Sequence, residues 1–453
     1  MATATPALSD RRPAADGDAT TLAPNSYVRW KILALLALAS GVAYVLRQNM
    51  SVAGERMMGD LGLSQVQLGI VLAAFAWGYG LFQFPGGVFG DWLGARKGLA
   101  LIIVLWGVLT LLVALAPGAG TASPLFIIGF LAVLRFLMGV AQAPLFPILS
   151  GHSIARWFPV SAWAFPNSLT NAGLTLGSAA TAPLIAWLAQ TLGWRASFTV
   201  TAPIAFLMAG IWWWYSRDQP HQHAAVSTRE LALINAGRPD FTPAQPRREW
   251  KVVLRDRNVL LITASYFAAN YVFYFFFNWL YIYLVDVRKF QALSGGLFAA
   301  APWVCGAIGA TLGGATCDRL AKRYGMTLSC RVVTIGGLLL CGAFIVAAAT
   351  ATSPYLAVVF LSLCLAAEQF TDATSWAAAT MVGGPRAAMT CGVMNTGGNV
   401  VGGFVAVMVP LIARELGWPV AVGSASLFAL VGAVLWLWIR VEPPVNESRP
   451  PGS

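Results

Sequence analysis

The sequence predicts an all-α polytopic membrane protein with 12 transmembrane helices in two six-helix bundles. Three observations carry this prediction: the composition, the spacing of apolar segments and the one-sided placement of positive charge. Hydrophobic residues are 58% of the 453-residue chain and charged residues only 10%, which leaves too little polar surface for a soluble protein of this length. Twelve apolar segments recur, at approximately 28–53, 66–89, 98–117, 125–150, 164–190, 196–215, 258–285, 294–317, 331–350, 354–381, 389–412 and 418–440. Each has roughly the 20 residues needed to cross a hydrocarbon core of about 30 Å. With the N-terminus inside, inner loops and tails hold 22 Lys and Arg residues and outer loops hold 5. That bias fixes the orientation, with both termini cytoplasmic. Topology therefore accounts for the net charge of +11, and no nucleic-acid partner is expected.

The segments divide the chain into a disordered N-tail at 1–27, a first bundle at 28–215, a cytoplasmic linker at 216–257, a second bundle at 258–440 and a C-tail at 441–453. The N-tail is rich in Ala, Pro, Thr and Asp and shows no cleavable signal. The linker is basic and punctuated by Pro220, Pro239, Pro243 and Pro246. All six cysteines fall in the second half, within or at the inner end of apolar segments, and read as reduced. His221 and His223 lack partner ligands, so neither a metal nor a cofactor is expected. A monomer in a lipid bilayer, the bacterial cytoplasmic membrane, is the expected setting.

The first segment contains Arg47 near its far end. An arginine inside a bilayer costs about 2.5–3.5 kcal/mol on insertion scales, so it normally faces a protein interior or a water-filled cavity. That makes Arg47 a candidate anion ligand, with snorkelling to the interface as the competing view. Tyr44 lies at i−3 and shares its face. Arg135 sits near the middle of the fourth segment, and Gln142 follows two turns later on nearly the same face. In the seventh, Asn270 and Tyr274 are four residues apart. Glu368, Asp372 and Trp376 recur every four residues in the tenth and share one face, as do Asn395 and Asn399 in the eleventh. Amides and hydroxyls of this kind suit a polyhydroxylated acid, because each substrate hydroxyl needs a donor and an acceptor. Helix–helix packing is the alternative for these polar positions. For Glu368 and Asp372 the alternative is a fixed ion pair with Arg47 and Arg135.

The halves also repeat. Gly87-x-x-x-Asp91-x-x-Gly94-x-Arg96-Lys97 follows the second segment, and Gly314-x-x-x-Asp318-Arg319 follows the eighth. Asn171-Ala-Gly173 precedes Gly193-Trp194 by 22 residues, and Asn395-Thr-Gly397 precedes Gly417-Trp418 by the same 22. Paired six-helix halves describe a transporter with a site near the bilayer midplane.

Residues Gly87 to Lys97 resemble the signature of the major facilitator superfamily. More narrowly, Tyr44-x-x-Arg47-x-Asn49-x-Ser51-x-Ala53 resembles the anion:cation symporter family. So do Gly78-Tyr79, Gln83-x-Pro85-Gly86-Gly87, Arg135-x-x-x-Gly139, Trp157-Phe158-Pro159, Arg217-Asp218-x-Pro220, Trp279-x-x-x-Tyr283-Leu284 and Asn395-x-x-Gly398-Asn399. The resemblance implies the major facilitator fold, no enzymatic activity, and secondary active transport of small organic anions. Sugar acids such as galactonate, glucarate or hexuronates are the implied substrates; animal relatives include sialin and the vesicular glutamate transporters. It further implies that Arg47 holds a substrate carboxylate, that Tyr79 supplies a second hydroxyl, and that Ser375 and Trp376 line the cavity. Asn171 would join them as the counterpart of Asn395. Asp91, Arg96 and Lys97, with Asp318 and Arg319 in the second half, would form contacts that break on inward opening.

Proton coupling is where the chain departs from the family. Leu46 and Gln142 stand where proton-coupled members carry carboxylates, and neither titrates. A relocated proton site at Glu368 and Asp372, an uncoupled facilitator or exchanger, and a Glu→Gln change introduced at 142 each account for this. Aromatic or other monocarboxylates are further substrate alternatives. A lipid flippase would favour an apolar lining over these polar faces. A sensor would need a signalling domain that the 13 residues after Arg440 do not offer.

Overall fold

The computed structural model describes residues 26–159, 164–235 and 250–442; residues 1–25 of the expected tail at 1–27, residues 160–163, residues 236–249 of the linker and residues 443–453 lie outside the described residues. Twelve main helices follow in order: α1 (Val28–Leu61), α2 (Gln65–Leu81), α3 (Gln83–Ala114), α4 (Pro124–Gln142), α5 (Ala164–Leu192), α6 (Trp194–Tyr215), α7 (Arg257–Asn278), α8 (Ala292–Tyr324), α9 (Met326–Thr350), α10 (Pro354–Gly383), α11 (Ala387–Leu416) and α12 (Trp418–Leu435). Among the described residues, eleven stretches are long and apolar enough to span a membrane, and α2 is a shorter apolar helix.

Several boundaries differ from the sequence-based expectation. α1 runs on to Leu61 because Gly54–Asp60 stays helical until Gly62 closes it in a left-handed cap with φ 66°. The expected second segment, 66–89, is broken at Phe82, and its last part continues into α3 across a kink at Gly94 (φ 74°). The last helix ends at Leu435 rather than 440. α4 and α7 both pass into wider π-helical turns, at Pro147–Ile154 and Tyr283–Val287.

The internal repeat is visible in the backbone. Gly193 and Gly417 each begin the following helix at φ 85°, ψ 160°, a conformation open to glycine and costly for other residues. α5 packs on α1 through Gly173, beside Ala37, while α11 packs on α7 through Gly397, beside Thr263.

At the start of α1, Glu230 of a short linker helix, Thr228–Asn235, is fully buried. Its carboxylate accepts from the backbone N–H of Val28 at 3.0 Å and of Arg29 at 3.1 Å, and from the Ser26 hydroxyl. An acidic cap in this place satisfies free N–H groups and complements the helix dipole.

Glycines set the approach of α2 to α4, and this positions the centre of the molecule. A Cβ on Gly139 would lie 2.3 Å from the carbonyl oxygen of Phe75, and one on Gly78 would lie 2.2 Å from that of Phe136. The close crossing brings Phe75 and Tyr79 of α2 against the Arg135 face of α4. Gly139→Val should therefore force the helices apart, lowering stability by about 3 kcal/mol and the melting temperature in detergent by several degrees. An unchanged melting curve would show that α2 and α4 do not depend on this contact.

The halves meet at the end carrying the α1–α2, α5–α6, α7–α8 and α11–α12 turns. There a Cβ on Gly69 would collide with the Ala406 carbonyl, and Gly296 lies against Ala182 and Pro183. The Gln65 amide donates to Asp286 at 3.5 Å across the same end. At the linker end Lys97, Asp318 and Arg319 are exposed, and among the described residues none has a partner across the halves.

Candidate functional site

Arg47 is held on α1 in the middle of the molecule and is 2% exposed. Its Nη2 donates to the Tyr274 hydroxyl at 2.8 Å and its Nη1 to the Tyr44 hydroxyl at 3.3 Å. Five rings surround the guanidinium carbon, with centroids at 4.6 Å (Phe75), 4.6 Å (Phe277), 4.7 Å (Tyr79), 5.3 Å (Tyr44) and 5.8 Å (Tyr274). Tyr44 and Tyr79, expected as hydroxyl contacts to a substrate, both lie against Arg47, Tyr79 through its ring face. Each ring attracts a cation by about 0.5–2 kcal/mol. Rings and phenols supply no negative charge, and Arg47 Nε is buried without a hydrogen-bond partner.

Arg135 is 4% exposed and donates through Nη2 to the Arg47 carbonyl at 3.0 Å. Gln142, two turns on, donates to the Ala43 carbonyl at 3.0 Å. These long side chains of α4 tie it to two carbonyls one turn apart on α1. Leu46 is buried in an apolar cluster with Phe75, Tyr79, Met138 and Ala141. Among the described residues neither Arg47 nor Arg135 has a carboxylate partner, so the fixed ion-pair alternative for Glu368 and Asp372 is not what the structure contains. Burying a guanidinium without a counter-ion costs several kcal/mol, which an anionic ligand would offset.

The two polar faces of the second half meet this centre through a hydrogen-bond circuit. The Tyr274 hydroxyl donates to Asn399 Oδ1 at 2.8 Å. Asn399 Nδ2 donates to Asn395 Oδ1 at 3.0 Å, and Asn395 Nδ2 donates to Gln83 Oε1 at 2.7 Å. The path runs from α1 to α7 and α11, then back to the first half at the start of α3. Asn270 is spent on its own helix, donating to the Tyr266 carbonyl at 2.9 Å. Asn171 is exposed and outside the circuit, so the paired asparagines of the repeat are not equivalent. Asn49 also stands apart, donating to the Ser197 carbonyl and Thr201 hydroxyl at 3.0 Å each, which fastens α1 to α6.

On α10, Glu368 is 4% exposed and accepts from the Gln369 amide at 2.8 Å. Asp372 accepts from the Tyr266 hydroxyl at 3.0 Å, and Trp376 meets the Tyr266 ring edge-on at 6.3 Å. The predicted acidic face therefore turns toward α7. Ser375 bonds back to the Thr371 carbonyl at 3.1 Å and offers little to a ligand.

In the α2–α3 connection, Arg96 packs within its own half. Its backbone N–H donates to Asp218 at 2.8 Å and its guanidinium to the Trp213 carbonyl at 2.8 Å. The Asp91 side chain falls outside the described residues. Phe75, Phe277, Tyr266 and Gln83 were missed as site residues. Helical spacing held the signal: Phe75 is four residues before Tyr79, Gln83 four after it, Phe277 three after Tyr274 and Tyr266 four before Asn270.

Among the described residues, twelve main helices in two related sets meet at a buried guanidinium without a counter-ion, an arrangement that defines a membrane carrier. The sequence model of the Major Facilitator Superfamily matches residues 36–406, and the chain belongs to that superfamily. It is 32% identical to the probable galactarate/D-glucarate transporter GudP of Bacillus subtilis (strain 168), over 90% of this chain and 91% of that one. It is 31% identical to the probable sulfoacetate transporter SauU of Cupriavidus necator, over 83% and 85%. In fold it resembles a bacterial homologue of the human lysosomal transporter Spinster in an inward-facing, unoccupied conformation. That match has a TM-score of 0.73 and 16% identity, and covers 91% of this chain and 97% of the other. The chain is thus an integral membrane transporter and not an enzyme.

Proposed function

We propose that this transporter imports small organic anions, sugar acids foremost, by alternating access, with Arg47 binding a substrate carboxylate. The observation that carries the reading is Arg47 itself: buried, ringed by aromatic faces and, among the described residues, donating to neutral phenols and without an acidic partner. A carboxylate would accept two parallel N–H bonds from it in a site shielded from water. Tyr44, Tyr274, Asn395 and Asn399 would then read substrate hydroxyls, and Tyr79 would pack against the bound acid. The names of the relatives, galactarate/glucarate and sulfoacetate transporters, support the same class of ligand. Rocking of the bundles 28–215 and 258–440 about the 216–257 linker would expose the site alternately, with both termini cytoplasmic in a bacterial inner membrane. Contacts at the α1–α2 and α7–α8 end and exposed polar groups at the linker end fit a carrier open toward the linker side.

Coupling to protons is part of the proposal, through Glu368 and Asp372. Glu368 is buried and Asp372 half-buried, among the described residues neither has a cation partner, and each is hydrogen-bonded to a neutral donor; such groups can take up and release a proton. A second reading has its own support: Leu46 and Gln142 place no titratable group beside Arg47, as in a facilitator or exchanger. Uptake of a panel of sugar acids and aromatic acids into proteoliposomes, with and without an inward proton gradient, separates the two. A proton-coupled carrier should accumulate its acid several-fold above equilibrium only with the gradient. Equal uptake in both conditions leaves the facilitator reading, and uptake of no acid removes both.

A further inference from the structure

We propose that the site selects an acid with two anionic groups, Arg47 pairing with one and Arg135 with the other. This rests on the organic-anion reading above and deepens it by naming the charge class of the substrate. Both guanidinium carbons lie near the same ring, Arg47 at 4.6 Å and Arg135 at 4.8 Å from the centroid of Phe75. Their separation therefore cannot exceed the sum of those distances, within reach of the two ends of a short-chain diacid.

Both side chains are nearly inaccessible, at 2% and 4%, and in both the Nε atom is buried without a hydrogen-bond partner. The acceptors they have are neutral: two phenols for Arg47 and one backbone carbonyl for Arg135. Gln142 carries no charge and its amide is engaged by Ala43. Leu46 is apolar. The acidic groups of the second half have donors of their own, Gln369 for Glu368 and Tyr266 for Asp372. Among the described residues, then, two buried cations share one centre and no carboxylate touches either.

A monoacid would pair with one guanidinium and leave the other buried beside it. A diacid satisfies both, and leaving a buried charge unpaired is the kind of defect that discriminates strongly between ligands. Arg135 becomes a ligand in this arrangement rather than only a tie between α4 and α1.

Isothermal titration on the purified protein in nanodiscs, at pH 7.5, tests this with matched acids: glucarate against gluconate, and succinate against butyrate. The diacid of at least one pair should bind at least tenfold tighter than its monoacid. In Arg135→Gln that ratio should fall below threefold, and in Arg135→Lys, which keeps the charge, it should stay above threefold. A size-exclusion profile like that of the parent establishes folding of each variant. Monoacids binding as tightly as their diacids would overturn the inference while leaving the organic-anion reading in place. So would an undiminished diacid preference in Arg135→Gln. If no acid of either kind binds, the organic-anion reading falls, and this inference with it.

Discussion

Replacing Arg47 with Met should lower substrate affinity at least 100-fold, about 2.7 kcal/mol. Truncating one partner of a buried, hydrogen-bonded charge pair costs about 2–5 kcal/mol, and here the other partner is the ligand. Met keeps much of the volume and can pack against the same rings, so the loss isolates the charge. Arg47→Lys should also fail, by at least tenfold. The ammonium cannot present two parallel donors to a carboxylate, nor lie flat against Phe75 and Phe277.

The thermal stability of the unliganded protein gives an opposite and independent readout. An arginine that served the fold would leave the protein weaker when removed. Arg47 instead buries a charge without a counter-ion, with Nε unpartnered, so Arg47→Met should melt at the same temperature as the parent or higher. A variant that melted several degrees lower and still bound acids at parental affinity would remove Arg47 from the site.

The helix count and the buried placement of Arg47 were legible because both rest on one-dimensional signals. Apolar length marks a membrane span, and a charge inside a span stands out wherever the chain folds. The same holds for Glu368, Asp372 and Trp376, whose spacing of four fixes a shared face before any partner is known. What surrounds those faces was not legible. Phe75 and Phe277 are ordinary apolar residues in apolar helices, and only the register of α2 and α7 against α1 turns them toward a guanidinium. That register is set by close crossings such as Gly78 on Phe136, which a single sequence does not pair. The repeat misled in one place. Asn171 and Asn395 occupy matching positions, yet only Asn395 meets a donor–acceptor chain, because Gln83 and Asn399 stand beside it. Gly94 fell between the expected segments 66–89 and 98–117, and nothing in the sequence said that helix continues on both sides of it.

Coupling should be lost on replacing Asp372 with Asn. The parent's ratio of uptake with an inward proton gradient to uptake without one should be about tenfold or more, and in Asp372→Asn it should fall to about one. An amide keeps an oxygen to accept the Tyr266 hydroxyl, now 3.0 Å from Asp372, but has no proton to exchange in this range. The exchange is clean because, among the described residues, no cation pairs with Asp372. Had it been paired with Arg47 or Arg135, removing its charge would orphan a buried arginine and confound binding with coupling. Glu368 differs in having Gln369 as its donor at 2.8 Å, and Glu368→Gln keeps an acceptor for that bond as well. A fall in the ratio for one substitution and not the other would assign the proton to one carboxylate, whereas a fall in both would make the pair a single titrating unit. Should the parent itself show a ratio of one, protons do not drive this carrier, and the neutral pair Leu46 and Gln142 beside Arg47 becomes the physical reason.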